Sequence, residues 1–145
     1  MDLIQPLNKT NLPSIKVLLE SYELPDSDIE TSHALFFGIK KKNQLLVTGA
    51  IEIYDSDAIL RSVAVHRDFQ KIGYGKIMVK FLEKKAIQLG IKKLYLLTTT
   101  AENFFRKCNY KSIPRELCPE SIKTSRQFAE ICPSNASCMC KKLLG

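Results

Sequence analysis

The stretch that most constrains the fold lies between an apolar strand pattern and a helical pattern. Residues 58–65 predict a strand, Gln-Lys-Ile-Gly-Tyr-Gly follows at residues 70–75, and apolar residues then recur at helical spacing until Gly90. The continuous apolar run at 94–97 is typical of a strand that is covered on both faces. A strand, a helix and a strand in this order predict a right-handed crossover between two parallel strands.

The helix of this crossover has a regular apolar stripe and an unusual start. Backbone N–H groups at a helix start lack an internal partner and lie at the positive end of the helix dipole, so they bind anions. Gly73 and Gly75 would leave those groups open to a ligand. The loop therefore predicts a diphosphate cradle, and the alternative is a glycine-eased turn before a core helix. The stripe consists of Tyr74, Ile77, Met78, Phe81, Leu82, Ala86 and Leu89.

The residues before the crossover predict a strand, a helix and an antiparallel meander. Asn11 is the expected N-cap of the helix. Polar turns at 41–43 and 55–57 separate the meander strands. The predicted elements are a strand at 3–4 that stops near Pro6, a helix at 12–22, and strands at 34–40, 45–54 and 58–65.

The residues after the crossover predict a short helix, two strands and a longer helix between them. Thr99 and Glu102 have the spacing of a capping box, and Asn109 can end the short helix in the left-handed conformation. The remaining predicted elements are a strand at 110–113, a helix at 120–131 and a final strand at 136–143.

Composition limits the class of protein. The 145 residues are 45% hydrophobic and carry a formal net charge of +7, which fits one soluble domain over residues 1–145. No apolar run approaches the roughly 20 residues that span a bilayer, and the start lacks a leader pattern, so we expect a cytoplasmic protein without a membrane partner. The basic residues come without a nucleic-acid-binding motif and favour an anionic small molecule over nucleic acid.

Five cysteines, an odd number, crowd into the last third of the chain and do not resemble a secreted disulfide framework. Their spacing matches no standard zinc motif, so we expect free, buried thiols and no metal. A metalloid or redox role stays open, since Cys138 and Cys140 would share a strand face. The five are Cys108, Cys118, Cys132, Cys138 and Cys140.

Over nearly its whole length the chain resembles the GNAT superfamily of acetyl-CoA-dependent N-acetyltransferases. The resemblance is carried by Leu-Arg-Ser-Val-Ala-Val-His at 60–66, by residues 70–75, which fit the signature Arg/Gln-x-x-Gly-x-Gly/Ala, and by residues 104–110. A narrower resemblance links residues 60–65, 96–105, 132–134 and 138–139 to the N-acetyltransferases associated with arsenic-resistance operons.

The resemblance implies an α/β (α+β) fold and a site for acetyl-CoA. The fold has a mixed, mostly antiparallel twisted sheet of about six to seven strands flanked by helices, with one splayed parallel pair. Backbone N–H groups from Lys71 to Lys76 would hold the pyrophosphate, and the backbone of Val63, Ala64 and Val65 would pair with pantetheine. The other implied cofactor-binding residues are Gln70, Ile72, Gly73, Tyr74, Gly75, Phe104 and Phe105.

The resemblance also implies direct attack by a substrate amine on the thioester, without a covalent enzyme intermediate. Family members often use a glutamate base and a tyrosine acid, where this chain has Arg61 and Phe105. A phenylalanine cannot protonate a thiolate, so another group does so or the thiolate leaves unassisted. Glu52 and Glu102 are the candidate bases, and for each the alternative is a solvated surface carboxylate.

The acceptor predicted for this site is a small, amino-acid-like amine. Arg61 would clamp its carboxylate, or would instead form an internal ion pair with Glu52. Ser62 would reach the site if a bulge redirects it. Thr98, Thr99 and Thr100 could line the pocket, although helix capping explains at least one of them. A catalytically degenerate module, a protein lysine acetyltransferase, and a monomer or homodimer all stay open.

Overall fold

The computed structural model describes residues 4–22, 24, 26–131 and 135–143. Within these residues, seven strands form one sheet in the order β1-β2-β3-β4-β5-β7-β6. Neighbouring strands are antiparallel except β4 and β5, which are parallel. The predicted fold class is confirmed. The strands are β1 Gln5–Pro6, β2 Leu35–Lys41, β3 Gln44–Tyr54, β4 Asp57–Val65, β5 Lys93–Thr98, β6 Lys111–Ser112 and β7 Ser137–Lys142.

Four α-helices flank the sheet in the described part of the chain. They are α1 Leu12–Glu20, α2 Tyr74–Gln88, α3 Glu102–Lys107 and α4 Glu120–Lys123, with a π-helix at Gln127–Ile131 and 3-10 turns at Lys9–Asn11, Arg67–Phe69 and Arg115–Leu117. The helix predicted at 120–131 is wrong as a single element, because Ser125 interrupts it. The Ser125 hydroxyl donates to the Ile122 carbonyl at 2.6 Å and accepts the Phe128 N–H at 3.3 Å, in competition with regular helical bonding.

The meander confirms the predicted antiparallel order, with boundaries shifted by a residue. Lys42 and Asn43 have φ angles of 50° and 64°, which suit a two-residue hairpin turn between β2 and β3. The first strand lies at Gln5–Pro6, later than predicted, since Gln5 pairs with Gly38 and Pro6 with Phe37. A proline is tolerated there because β1 is an edge strand. Residue 3 lies outside the described residues.

Asn11 occupies the N-cap position of α1 as predicted, but its side chain makes no capping hydrogen bond to α1. Asn8 and Asn11 cap the 3-10 turn before α1 reciprocally: Asn8 N–H donates to the Asn11 side chain, and the Asn8 side chain accepts the Thr10 N–H. At α3 the N-cap residue is Ala101 and no side chain caps the helix, so the box predicted from Thr99 is wrong. The Thr98 hydroxyl accepts the Ala101 N–H at 2.9 Å, just before the helix. Asn109 does adopt the left-handed conformation, with φ 73°.

Apolar side chains pack on both faces of the sheet. Helix α2 covers one face with a stripe rotated from the prediction: Val79 is 1% exposed, whereas Ile77 and Leu89 are 47% and 45% exposed. The α1 face holds a separate cluster around Leu19, and a third cluster joins α4 to β5 and β7.

Strands β4 and β5 separate after a short paired segment. Their register runs from Asp57 opposite Lys93 to Ile59 opposite Tyr95, and it stops there. Farther along β4 the register with β3 shifts, and Ser62 has φ 59°, which is a β-bulge. The splayed parallel pair is therefore confirmed, and it leaves a gap in the middle of the sheet.

Candidate active site

A cavity of about 860 Å³ opens where β4 and β5 separate. Its volume lies in the range of small-molecule sites. Most of the residues singled out from the sequence line it, although Glu52, Ile72 and Glu102 do not. Those that do are Arg61, Ser62, Val63, Ala64, Val65, Gln70, Lys71, Gly73, Tyr74, Gly75, Lys76, Thr98, Thr99, Thr100, Phe104 and Phe105.

The start of α2 forms one wall of the cavity. Gly73 is the N-cap residue with φ 93°, a conformation that disfavours other residues, and its carbonyl accepts the Ile77 N–H at 3.0 Å. N–H groups in the first turn of a helix have no carbonyl of that helix to bind. Gly75 packs closely against α3, since a Cβ there would lie 3.3 Å from Cζ of Phe104. This helix start can therefore present its backbone to an anion.

The loop before α2 is held to the end of β4 by side chains. The Tyr22 hydroxyl donates to the Val65 carbonyl at 2.6 Å, and Gln70 Nε2 reaches the same carbonyl at 3.2 Å and the Tyr22 hydroxyl. Gln70 thus fixes the loop against the strand. Ile72 is 64% exposed and its side chain lies off the cavity wall, so any ligand contact there is left to its backbone.

The edge of β4 faces the gap with alternate residues. The His66 N–H donates to the Leu46 carbonyl on β3 at 2.7 Å. Because backbone polar groups alternate between the two sides of a strand, those of Ala64 point toward β3 and those of Val65 point into the gap. The Val65 carbonyl already accepts hydrogen bonds from Tyr22 and Gln70, so the group that Val65 offers to an extended ligand is its N–H.

Arg61 lies in a buried cluster of charges. Its guanidinium donates to both oxygens of Asp28, at 2.7 and 2.6 Å, and to Glu52 at 3.2 Å. Arg61, Asp28 and Glu52 are only 3%, 2% and 3% exposed. Burial alone lowers the pKa of Arg61, but the hydrogen bonds and charges of Asp28 and Glu52 outweigh it and the pKa is raised. The sequence left two hypotheses for Arg61, a clamp for the carboxylate of the acceptor and an internal ion pair with Glu52. The structure has the internal ion pair, and Asp28 is a second partner that the sequence did not indicate.

Glu52 is held from three sides. Besides Arg61, it accepts hydrogen bonds from the Ser32 hydroxyl at 2.7 Å and from the Tyr54 hydroxyl. Burial, then the hydrogen bond to Glu52, raise the pKa of Tyr54. A solvated surface carboxylate is the wrong description of Glu52, and its position off the cavity wall gives no support to its role as a base.

Glu102 joins two elements at the protein surface. It accepts from the Ser137 hydroxyl of β7 at 2.6 Å and pairs with Arg106 one turn along α3. Its side chain is 41% exposed and is not part of the cavity wall. The arrangement favours the surface alternative for Glu102 over the catalytic one.

Ser62 and the threonines reach the cavity from the two separated strands. From the sequence, Ser62 was expected to reach the site only if a bulge redirects it; the bulge is present and Ser62 lines the cavity. Arg61 Nε donates to the Ser62 hydroxyl at 3.4 Å. The Thr98 hydroxyl accepts the Ala101 N–H, while Thr99 and Thr100 are exposed.

Tyr22, Lys107 and Gln127 also line the cavity and were missed in the sequence. Lys107 follows Phe104 by three residues on α3, so helical spacing could have indicated it. Tyr22 and Gln127 are placed at the cavity by tertiary packing, and no local sequence pattern indicates that position. Among the described lining residues, the charged side chains are all basic. They are Arg61, Lys71, Lys76 and Lys107.

The profile of the Acetyltransferase (GNAT) family matches residues 5–110. The chain belongs to this family. The "Amino-acid acetyltransferase" of Salmonella arizonae is 27% identical over 125 residues, which are 85% of this chain and 26% of that protein. The chain thus spans about a quarter of the length of the curated relatives it matches.

Solved structures show the same GNAT fold. N-acetylglutamate synthase from Neisseria gonorrhoeae, complexed with coenzyme A and N-acetyl-glutamate, superposes with a TM-score of 0.85 at 18% identity, over 100% of this chain and 36% of that one. The ribosomal-protein-S18-alanine N-acetyltransferase from Escherichia coli gives 0.75 at 16% identity, over 100% and 96%. At these identities the likeness concerns the fold alone.

The described cysteines of this GNAT chain are free thiols. Cys118 and Cys138 are buried with their sulfurs 3.4 Å apart, and burial raises the pKa of both. Cys132 lies outside the described residues. Among those described, no group of three or more His, Cys, Asp or Glu could hold a metal ion. No helix in the same part of the chain has the length and apolarity to cross a membrane.

Proposed function

We propose that the protein transfers an acetyl group from acetyl-CoA to the amine of a small, amino-acid-like acceptor. The observation that carries the proposal is the start of α2. There Gly73, in the left-handed conformation, and the closely packed Gly75 place a helix N-terminus at the wall of a cavity whose charged lining residues are basic. A family fold alone would not support an activity. The local geometry matches what a diphosphate-bearing cosubstrate requires.

Three groups of residues would hold acetyl-CoA. Backbone N–H groups between Lys71 and Lys76 would bind the pyrophosphate, and the basic side chains nearby, including Lys107, would neutralise its charge. Val63 and Val65 would bind the pantetheine amides as an added strand would. This arrangement directs the thioester toward the centre of the splayed sheet.

The chemistry we propose is direct transfer. The neutral amine attacks the thioester carbonyl carbon, a C–N bond forms, the C–S bond breaks, and the amine loses a proton to solvent. Phe104 and Phe105 line the cavity and have no proton to give. Because a thiolate is only modestly basic, the CoA thiolate can leave unprotonated and take a proton from solvent. The chain's contribution is then alignment of the two reactants. We assign no proton transfer to Glu52 or Glu102.

The acceptor class is supported by the relatives over this segment, which bear the name amino-acid acetyltransferase. The resemblance to arsenic-resistance-associated enzymes widens the trial acceptors to amino-acid analogues that contain phosphorus or arsenic.

The experiment measures release of free CoA with a panel of amines, namely the standard amino acids, phosphorus- and arsenic-containing analogues, and a lysine peptide. We expect turnover with at least one small amino-acid-like acceptor. Binding of acetyl-CoA without any turnover would instead identify a degenerate binding module. Turnover confined to the peptide would identify a protein lysine acetyltransferase.

A matched pair of variants tests the cradle. Gly73→Glu puts a negative side chain at the helix start, and Gly90→Glu makes the same change at the other end of α2. Both glycines have positive φ, at 93° and 85°, and at both there is open space where a Cβ would lie. Calorimetry should show loss of acetyl-CoA binding in Gly73→Glu alone. Equal affinities in the two variants would refute the cradle.

A further inference from the structure

Gln127 is part of the cavity wall and has an unpaired polar atom. The residue is 4% exposed, lines the cavity, and its Oε1 is buried without a hydrogen-bond partner. Buried polar atoms in folded proteins are nearly always paired, so such an atom in a ligand cavity indicates a partner supplied by the ligand.

The backbone at this position is also irregular. Gln127 begins the π-helix that follows the interruption at Ser125. Single π-helical turns inside helices occur frequently at functional sites. An α-helix continued through residue 124 would rotate the following residues, so the irregularity decides which side chain faces the cavity.

Several other polar side chains on the walls are already engaged. Tyr22 and Gln70 bind the Val65 carbonyl, the Thr98 hydroxyl accepts the Ala101 N–H, and Arg61 binds Asp28. The described walls therefore offer cations for the acidic parts of a ligand and one buried neutral acceptor atom for an N–H donor.

We infer that Gln127 is a specificity-determining residue that accepts a hydrogen bond from the amine of the acceptor through Oε1. This inference rests on the proposed function and names how the amine is held. A neutral carbonyl binds an amine N–H without the strong preference for the charged ammonium that a carboxylate would impose. Gln127 thus positions the amine in its nucleophilic, neutral form.

The test compares Gln127→Leu and Gln127→Glu with a matched control, Gln88→Leu, at the exposed end of α2. The probe acceptor is L-glutamate or the best acceptor found with the unmodified protein. For Gln127→Leu we expect KM for the acceptor to rise about three- to tenfold, the loss of one neutral hydrogen bond, with unchanged affinity for acetyl-CoA. Its thermal stability without ligand should equal or exceed that of the unmodified protein, because a buried unpaired atom is removed.

For Gln127→Glu we expect the pH profile of kcat to move to higher pH, because a carboxylate stabilises the ammonium form of the bound acceptor, and kcat reports the groups that titrate in the complex. A merely structural role would not move this profile. The control should match the unmodified protein in every measurement.

Three outcomes would overturn the inference while leaving the proposed function intact. The first is an acceptor KM of Gln127→Leu within twofold of that of the unmodified protein, and the second is a loss of acetyl-CoA affinity in Gln127→Leu instead of a rise in acceptor KM. The third is a pH profile of Gln127→Glu that matches that of the unmodified protein. If the unmodified protein acetylates no amine, calorimetry with L-glutamate on the CoA-saturated protein decides. Binding that Gln127→Leu weakens supports the inference without turnover, and equal or absent binding overturns it.

Discussion

Asp28 should be one of the most sensitive positions for stability, because it neutralises a buried arginine. Asp28→Ala removes the hydrogen bonds of 2.7 and 2.6 Å to Arg61 and leaves Glu52, at 3.2 Å, as the remaining carboxylate. Removing one partner of a buried ion pair costs about 3–5 kcal/mol. Since Glu52 stays in place, we expect the lower end, about 3 kcal/mol in the free energy of unfolding.

That loss corresponds to a fall in Tm of about 6–12 °C for a chain of this size, at roughly 2–4 °C per kcal/mol. Thermal and urea unfolding at pH 7 without ligand, followed by circular dichroism, measure it. Arg61→Met should cost more than Asp28→Ala, because it leaves two buried carboxylates without a counter-charge.

The control is Glu30→Ala, from the same segment. Glu30 pairs with Lys16 at the surface, where their side chains are 55% and 41% exposed, so the expected loss is at most about 1 kcal/mol. If Asp28→Ala unfolds no more easily than Glu30→Ala, the reasoning that the cluster is a buried, mutually dependent unit is refuted.

Three further results are expected. Gly75→Val should keep the circular dichroism spectrum but weaken acetyl-CoA binding at least tenfold, since its side chain would meet the Phe104 ring, 3.3 Å from the Cβ position. Lys107→Gln should weaken acetyl-CoA binding about two- to fivefold at low salt in calorimetry, with a smaller difference at high salt. Cys118 and Cys138 should react with iodoacetamide at pH 8 far more slowly in the folded protein than in urea by mass spectrometry, because burial raises their pKa and leaves little thiolate.

Each of these has a contrary result. Unchanged affinity in Gly75→Val would mean that the helix start can move away from α3. A salt-independent effect of Lys107→Gln would exclude a charge contact with the ligand. Alkylation of folded Cys138 at the unfolded rate would show that the β7 thiols are open to solvent.

The sequence by itself determined the elements whose signals are local. The turn predicted at 41–43, the helix that begins at Tyr74 and the left-handed Asn109 follow from neighbours within one turn or one hairpin. The parallel crossover was also predictable, because a strand, a helix and a strand pack back onto one sheet with one handedness. The helix start with its glycines could also be predicted, because its conformation is determined by residues that are adjacent in the chain.

Tertiary structure decided the identity of the partners. Arg61 binds Asp28, which is 33 residues away, and Glu52, whose pairing with Arg61 was one of the two sequence hypotheses, also binds Ser32 and Tyr54. The contacts with Asp28, Ser32 and Tyr54 have no periodicity that a sequence pattern could carry. The bulge at Ser62 and the cavity-facing position of Gln127 likewise result from strands and helices brought together across the fold. Local spacing specifies backbone conformation, whereas the charge, burial and pairing of a side chain depend on whatever the folded chain places beside it.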